Sequence, residues 1–524
     1  MTSVRATASV TGGHRPEAVV ATALAGAFIA NMTTQFVGTS LADIQGGVAA
    51  SADEASWVTT AYTVANLVGI VAAPTLLRTF GLRRYFVTSA AVFAACAWWC
   101  ALAPGLTALV AARILQGLAG GAFGPIAFSA VFVMLKGPRV ALGIALLAFV
   151  LLVSVNAGPA LAGPIEAALG WRGLFVAQLW AAVLLALAGS RWMPASASVN
   201  REALRIDWGA AALLAVAVGG LMLVFSQGTR RFWLESPMVA WTLSLSVGAW
   251  LGFAVAHWLS SAPILSMSKL RERRFGLAIV LNFVFRTSFA ATVYLLPLLL
   301  ASTQAYRPLQ VSNVLWWSLL PQIAAFPLVW KLLHRHDSRS IMVAGLLLCG
   351  LALWIASRST SQVGGEQLQL SLVLLGIGQM LFLVPTLLVG ALGLDLAHGP
   401  TATIAFNLTT VGGTTVGVGL VTHFVTEREK FHSSVLVDRV SWLDDQVGER
   451  LTTLGTAWST RVGDEVASRG ALAQLAAGVR REAWLLAMND AFALIAVALV
   501  LAALGVALIG RSPPLSYASQ ADSP

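Results

Sequence analysis

The chain has 524 residues, 57% of them hydrophobic and only 11% charged, with a net charge of +10 and an isoelectric point near 10.2. Soluble domains carry about 25% charged residues, so this composition excludes a water-soluble fold and describes an all-α polytopic membrane protein. The positive balance does not describe a nucleic-acid binder, because Lys and Arg fall in short gaps between apolar runs, the distribution that orients membrane proteins.

Fourteen apolar stretches reach spanning length, at about 18–42, 57–76, 85–103, 107–134, 140–165, 173–194, 208–228, 237–258, 275–303, 308–331, 340–357, 368–393, 401–425 and 486–510. The opening "MTSVRATASVTGGHRPEA" runs into the first of them without a small-residue cleavage site, so that span is read as retained. The predicted organisation is a tail at 1–17, a six-helix bundle at 18–194 and a polar connector at 195–207. Two additional helices follow at 208–258, then a basic loop at 259–274, a second six-helix bundle at 275–510 and a tail at 511–524. With both termini cytoplasmic, the cytoplasmic segments hold eighteen Lys or Arg and the short outer loops five, which favours that orientation. The exception is the long outer loop 426–485, which is charged throughout. Its "VLVDRVSWLDDQVGERLTTL" has apolar residues at helical spacing, predicting an amphipathic helix or hairpin that packs on the outer face or docks a partner.

In chain order, the first span contains "IANMTTQFVGTSLADI", with Asn31 and Gln35 inside it and its first acid, Asp43, near the outer end. Asn66 lies within the second span, and "TLLRTFGLRRYF" follows with Gly81, Arg83 and Arg84 in the short loop. Cys96, Cys100 and Cys349 sit in apolar runs and read as small buried hydrophobes rather than metal ligands or disulfides. The fourth span, "ALVAARILQGLAGG", places Arg113 in an apolar run with no charged residue within twenty positions. Such an arginine costs about 2.5 to 17 kcal/mol in hydrocarbon, so it either faces a hydrated cavity or is bonded between helices. Gln116 at i+3 offers a hydrogen bond on the same face, and the surrounding glycines allow close helix approach. The fifth span carries "SVNAGPALAGP", with Asn156, Gly158, Pro159 and Gly163, and Glu166 just beyond. Gly-Pro bends a helix and thins it, which suits a sliding seam. Arg286 is the second intramembrane arginine, in the ninth span; it reads either as facing a cavity or as bonded to Asn282 or a backbone carbonyl. Asn282, Gln322, Gln379 and Asn407 are further polar residues inside spans and, with Gln35, Asn66 and Asn156, are candidates to line a substrate cavity.

The R-x-x-Q-G at Arg113, the Gly158-Pro159 motif and the basic loop after the second span together resemble the major facilitator superfamily, in particular its 14-helix drug:proton antiporter branch, the EmrB-like efflux permeases. "WVTTAYTVANLVGIVAAP", "RIDWGA", "YLLPLLL" and "FNLTTVGGTTVGVGL" extend the resemblance over nearly the whole chain. It implies a major facilitator fold: two six-helix bundles plus two extra helices, 14 transmembrane helices in all, rocking about a midplane cavity. It implies export of small amphipathic or lipophilic compounds across a bacterial inner membrane by proton antiport, with the proton gradient as energy source and no cofactor or metal. It also assigns Arg113 to a motif implicated in proton transfer and Gly158, Pro159 and Gly163 to a gating motif, and it implies a periplasmic adaptor protein and an outer-membrane channel as partners. The chain departs from the family where Pro74 and Arg78 replace a Gly and an Asp, and where the first helix lacks an Asp. An amide or hydroxyl cannot carry a proton as a carboxylate does. Glu166, Asp395 and Asp490 are the candidate replacements, each near a helix end, where capping or solvation would also explain it. Two other readings stay open: a carrier for an organic anion drawn to Arg113 and Arg286 without proton exchange, and a non-transporting membrane scaffold or sensor. There is no phosphate loop and no catalytic arrangement, so an enzyme reading has no residues to carry it.

Overall fold

The computed structural model describes residues 15–195, 208–260, 264–391, 398–440, 445–459 and 463–509, and all the regular structure in them is helical. The tail at 511–524, nearly all of the connector 195–207 and most of the tail at 1–17 lie outside the described residues, as does Asp395. Within lipid every backbone amide must be bonded internally, and runs as apolar as these satisfy that requirement as helices. The first half contains α1 (Pro16–Thr39), the short α2 (Leu41–Gly47), α3 (Ala52–Phe80), α4 (Leu82–Leu102), α5 (Leu106–Gly120), α6 (Phe123–Met134) and α7 (Pro138–Trp192). The linker pair is α8 (Trp208–Gln227) and α9 (Pro237–Leu259). The second half contains α10 (Met267–Arg271), α11 (Arg273–Thr287), a π-helical turn (Ala291–Leu295), α12 (Leu296–Gln304), α13 (Pro308–Leu333), α14 (Ser338–Ala356), α15 (Gln369–Ala391), α16 (Gly399–Arg439), α17 (Asp445–Ser459) and α18 (Asp464–Val506).

Twelve helices among the described residues are long and apolar enough to cross a membrane. The fourteen expected spans are nevertheless all present as helix. The 55-residue α7 reverses at Gly170, whose φ of 67° is left-handed and favours glycine. It therefore supplies the fifth and sixth spans: Gly143 and Gly189, near its two ends, both pack toward the side of the basic loops. The 26-residue α13 misses only on apolarity, since Gln310, Asn313 and Gln322 lie on it. Ser51 starts α3 with a reciprocal capping box to Glu54. Gly81, at φ 77°, turns the chain from α3 into α4.

Within the first half α1 packs on α7, α3 on α5, and α4 on both α5 and α7. Within the second, α14 packs on α15 and α18, and α11 on α16. The halves meet where α7 lies against α13 and α15, and where α3 and α6 lie against α16. Toward the basic-loop side this seam is plugged by aromatic rings. Phe128 stacks on Phe406 at 5.8 Å, Phe275 meets Phe406 edge-on, and Phe149 lies 4.9 Å from Phe326.

The segment read as a long outer loop holding an amphipathic helix or hairpin, 426–485, is in large part a continuation of two spans. α16 has 41 residues, about 61 Å at 1.5 Å per residue, roughly twice a hydrocarbon core. It therefore projects well past the bilayer, as does α18, and the amphipathic α17 packs back on α18. The two projections are tied at their base, where Arg428 donates to Asp490 at 2.6 Å and His432 lies 2.8 Å from the same carboxylate. Asp490 is thus an ion-pair partner at the root of this arm.

Candidate functional site: a hydroxyl-lined cavity between the halves

Away from the aromatic plug, the seam opens into a cavity of about 230 Å³. α1 contributes Thr34, Gln35 and Thr39; α3 contributes Ser56, Thr59, Thr60 and Thr63; Pro159 comes from α7. From the second half α16 contributes Thr414, Thr415 and Thr422, and the π-helical turn contributes Val293 and Tyr294. A π turn re-aims side chains within a helix and recurs at functional sites.

The linker pair supplies the remaining wall. Phe225, Ser226, Thr229 and Arg230 line the cavity from the end of α8 and the turn after it. They are held there by α3: the Gln227 carboxamide donates to Ser56 and Thr60, the Ser226 hydroxyl bonds Thr60 at 2.6 Å, and Arg230 pairs with Asp53 at 3.4 Å. On the opposite side the Trp233 indole donates to His423 of α16 at 3.1 Å. The linker pair thus bridges α3 and α16 across the cavity. Sequence reasoning treated these helices as additions to the fold; the only available signal was the polar cluster "SQGTR" at the end of an apolar run.

Arg113 does not line this cavity. It is fully buried inside the first half, where its Nη1 donates to Gln116 at 2.7 Å, its Nε donates to the Val58 carbonyl at 3.2 Å, and its guanidinium stacks 4.0 Å from the Tyr62 ring. Gln116 passes the chain on by donating to Gln178 of α7 at 2.9 Å. Backbone proximity makes this possible: Gly117 lies over the Tyr62 carbonyl, and Gly121 packs on Gly69. Of the two readings of Arg113, bonding between helices describes its place and a cavity-facing arginine does not: cation–π and neutral hydrogen bonds hold the guanidinium within one bundle, with Nη2 left without a hydrogen-bond partner.

Arg286 is likewise buried and absent from the cavity wall. It reaches across the seam, donating to the Leu151 carbonyl of α7 at 3.3 Å, with the Phe289 ring at 5.3 Å. Asn156, Gln322 and Gln379 also leave the cavity and bond one another between the halves. Asn156 donates to Gln379 at 2.9 Å and to Gln322 at 3.3 Å, Gln322 donates to Gln379 at 2.9 Å, and Thr292 donates to Asn156 at 3.3 Å. Beside them the Ser312 hydroxyl accepts from the Gly163 amide at 3.0 Å and donates to the Pro159 carbonyl at 2.7 Å. Gly163 and Pro159 are i and i−4 in α7, so a side chain of the second half sits between helical partners of the first. Gly158 packs on the Met32 carbonyl of α1.

The remaining polar candidates bond within or between helices. Asn31 donates to Ala27, Asn66 to Gly117, Asn282 to Thr409, and Asn407, which packs on Gly124, to Thr403. Of the seven residues expected to line a cavity, Gln35 alone does. Amides inside a dry interface must find partners, and sequence cannot say whether the partner is another helix or a ligand. Glu166 stands at the end of α7's first limb, near the turn at Gly170; the Ser40 hydroxyl donates to it and the Asp43 carboxyl lies against it. Arg83 and Arg84 occupy the first turn of α4 and form no ion pair among the described residues. Cations there oppose the helix dipole, so their placement serves orientation better than local stability.

The amide cluster yields a stability prediction. In Gln379→Leu the Asn156 and Gln322 amides lose the oxygen both donate to. Asn156 keeps the Gln322 oxygen at 3.3 Å, so one buried donor, the Gln322 amide, is left without an acceptor, at a cost of about 1–3 kcal/mol. The thermal midpoint of the purified protein is expected to fall, and an unchanged midpoint would mean that the cluster is hydrated.

Two helical bundles facing each other across a seam, with a cavity on one side of a closed plug, have the architecture of a membrane transporter. The chain has the major facilitator fold of a multi-pass transporter, and the family model of the Major Facilitator Superfamily matches its residues 23–277. It is 24% identical over 407 residues to the colistin resistance protein EmrB of Acinetobacter baumannii, covering 77% of this chain and 79% of that one. It is 23% identical over 426 residues to the multidrug export protein EmrB of Escherichia coli, covering 79% and 81%. In fold it is similar to the crystal structure of the human organic anion transporter MFSD10 (TETRAN), with a TM-score of 0.55 at 15% identity over 92% of this chain and 99% of that one.

Proposed function

We propose that the protein exports small amphipathic compounds from a bacterial cytoplasm across the inner membrane, by proton antiport with alternating access, and that both termini are cytoplasmic. The observation that carries this reading is the amphipathic cavity held between the halves and closed toward the basic-loop side by Phe128, Phe149, Phe326 and Phe406. Hydroxyls and the rings of Phe225 and Tyr294 share its wall, which suits ligands with one polar and one apolar face. The likeness to the two EmrB proteins supports export. The excess of Lys and Arg in the closed-side loops supports a cytoplasmic face there. Coupling falls to Glu166, because Asp43 beside it makes a carboxyl pair suited to holding one shared proton. Arg113 and Arg286, the cations on which an anion carrier would rely, lie away from the cavity. The projecting arm of α16, α17 and α18 offers an extramembrane surface for a periplasmic adaptor protein leading to an outer-membrane channel, and this supports the reading of such partners.

The test is proton release on substrate addition to proteoliposomes under an imposed pH gradient. Gradient-driven export of amphipathic dyes is expected. Glu166→Gln, which keeps an acceptor for Ser40, is expected to retain dye binding and lose gradient dependence. Export indifferent to the gradient in the parent protein would sink proton antiport.

A further inference from the structure

The cavity's hydroxyls have a common orientation imposed by the helices that carry them. Thr34 donates to the Ala30 carbonyl, Thr39 to Gln35, Thr63 to Thr59, Thr414 to Thr410, Thr415 to Val411 and Thr422 to Val418, each four residues back on its own helix. A threonine hydroxyl has one hydrogen and two lone pairs. Where that hydrogen is given to the i−4 carbonyl, only the lone pairs remain for the lumen. Thr60 shows the same commitment: it donates to Ser56 and accepts from Gln227, so the Ser226 hydroxyl 2.6 Å away must be a donor to it, and Ser226 too turns lone pairs outward. Arg230, the one cation on the wall, pairs with Asp53 through a single nitrogen, and its other N–H groups and the Gln35 carboxamide are the wall's donors outside the threonine face.

We infer that the threonine face of the cavity, on α1, α3 and α16, presents acceptors rather than donors to the occupant, and that it recognises ligands through their O–H and N–H groups. The class selected is the donor-bearing amphiphile, an aromatic or alkyl body carrying a hydroxyl or ammonium group. Its methylated counterparts and simple ethers have no hydrogen to offer, and leave the lone pairs of the wall desolvated and unpaired. This deepens the export reading and rests on it only for transport; the binding preference stands on the cavity itself.

The test compares isomers. Phenylpentanol and phenylbutyl methyl ether have the same formula and differ by one donor. Phenylbutylamine and its trimethylammonium form carry the same charge and differ by the three N–H donors of the ammonium. Binding to the full-length protein in nanodiscs is measured by calorimetry, alongside gradient-driven flux in proteoliposomes. The alcohol is expected to bind about tenfold tighter than the ether, the weight of one or two hydrogen bonds, and the amine tighter than its methylated form. In the Thr63→Val/Thr415→Val double variant the ratio is expected to fall toward one, and in the Thr63→Ser/Thr415→Ser control to persist. Equal or tighter binding of the ether, a ratio untouched by the valines, or failure of the alcohol and amine to bind would each overturn the inference. The alcohol-to-ether ratio in the parent protein decides the matter even if the valine variant does not fold. Tight donor-dependent binding without flux would leave this inference standing and defeat the export reading. Flux of ether and alcohol alike would do the reverse.

Discussion

Gly163→Val is expected to stop transport while leaving a folded, membrane-inserted protein. A Cβ at this position would fall 2.4 Å from the Ser312 hydroxyl, 2.6 Å from the Pro308 carbonyl oxygen and 2.8 Å from the Leu309 Cα. Two of these are backbone atoms of α13, which cannot rotate aside as the tip of a side chain can. The valine must push the two halves apart where Ser312 bridges Gly163 to Pro159. Overpacking of this kind costs about 1–3 kcal/mol, and here it falls on an arrangement that the transport cycle has to pass through. Gly163→Ala is expected to be intermediate. Transport rates in proteoliposomes, with gel-filtration profiles to establish folding, check the prediction. Parental rates in the valine variant would mean that α7 and α13 do not approach this closely during transport.

Arg113→Met and Arg113→Ala are expected to separate in stability and agree in function. Methionine keeps the length of the side chain on the Tyr62 ring and removes the buried charge, a change that is often neutral or stabilising for charges held in an interior. Both replacements take the donor from Gln116, and alanine in addition leaves a void beneath Tyr62, at a cost of about 2–5 kcal/mol. The thermal midpoint is therefore expected to fall further in the alanine variant than in the methionine variant. Gradient-dependent transport is expected to be lost in both, because the charge on the Arg113–Gln116–Gln178 chain is what neither replacement supplies. Full transport by Arg113→Met would reduce the arginine to a packing element between α3 and α5.

Much of the architecture was legible in the residues. The fourteen spans are found where the apolar runs lie, and the Gly158, Pro159 and Gly163 motif sits on the seam that its thinness suits. The site was less legible. Asn156, Gln322 and Gln379 have the residue types of a ligand pocket and close the interface instead. The threonines that do line the cavity look in sequence like ordinary members of apolar helices, and Ser226 and Arg230 like the end of a linker.

By itself the sequence determined that this is a helical membrane protein, how often the chain crosses, and which glycines admit close helix contact. These follow from the transfer energetics of short segments and from local geometry, both of which are read within about twenty residues. Only the tertiary structure decided which polar groups face a ligand and which face another helix. That choice depends on the rotation of each helix and on partners more than a hundred residues away, as between Asn156 and Gln379 or Gly163 and Ser312. A buried polar group needs a partner in either case, and its own sequence neighbours do not say where that partner lies.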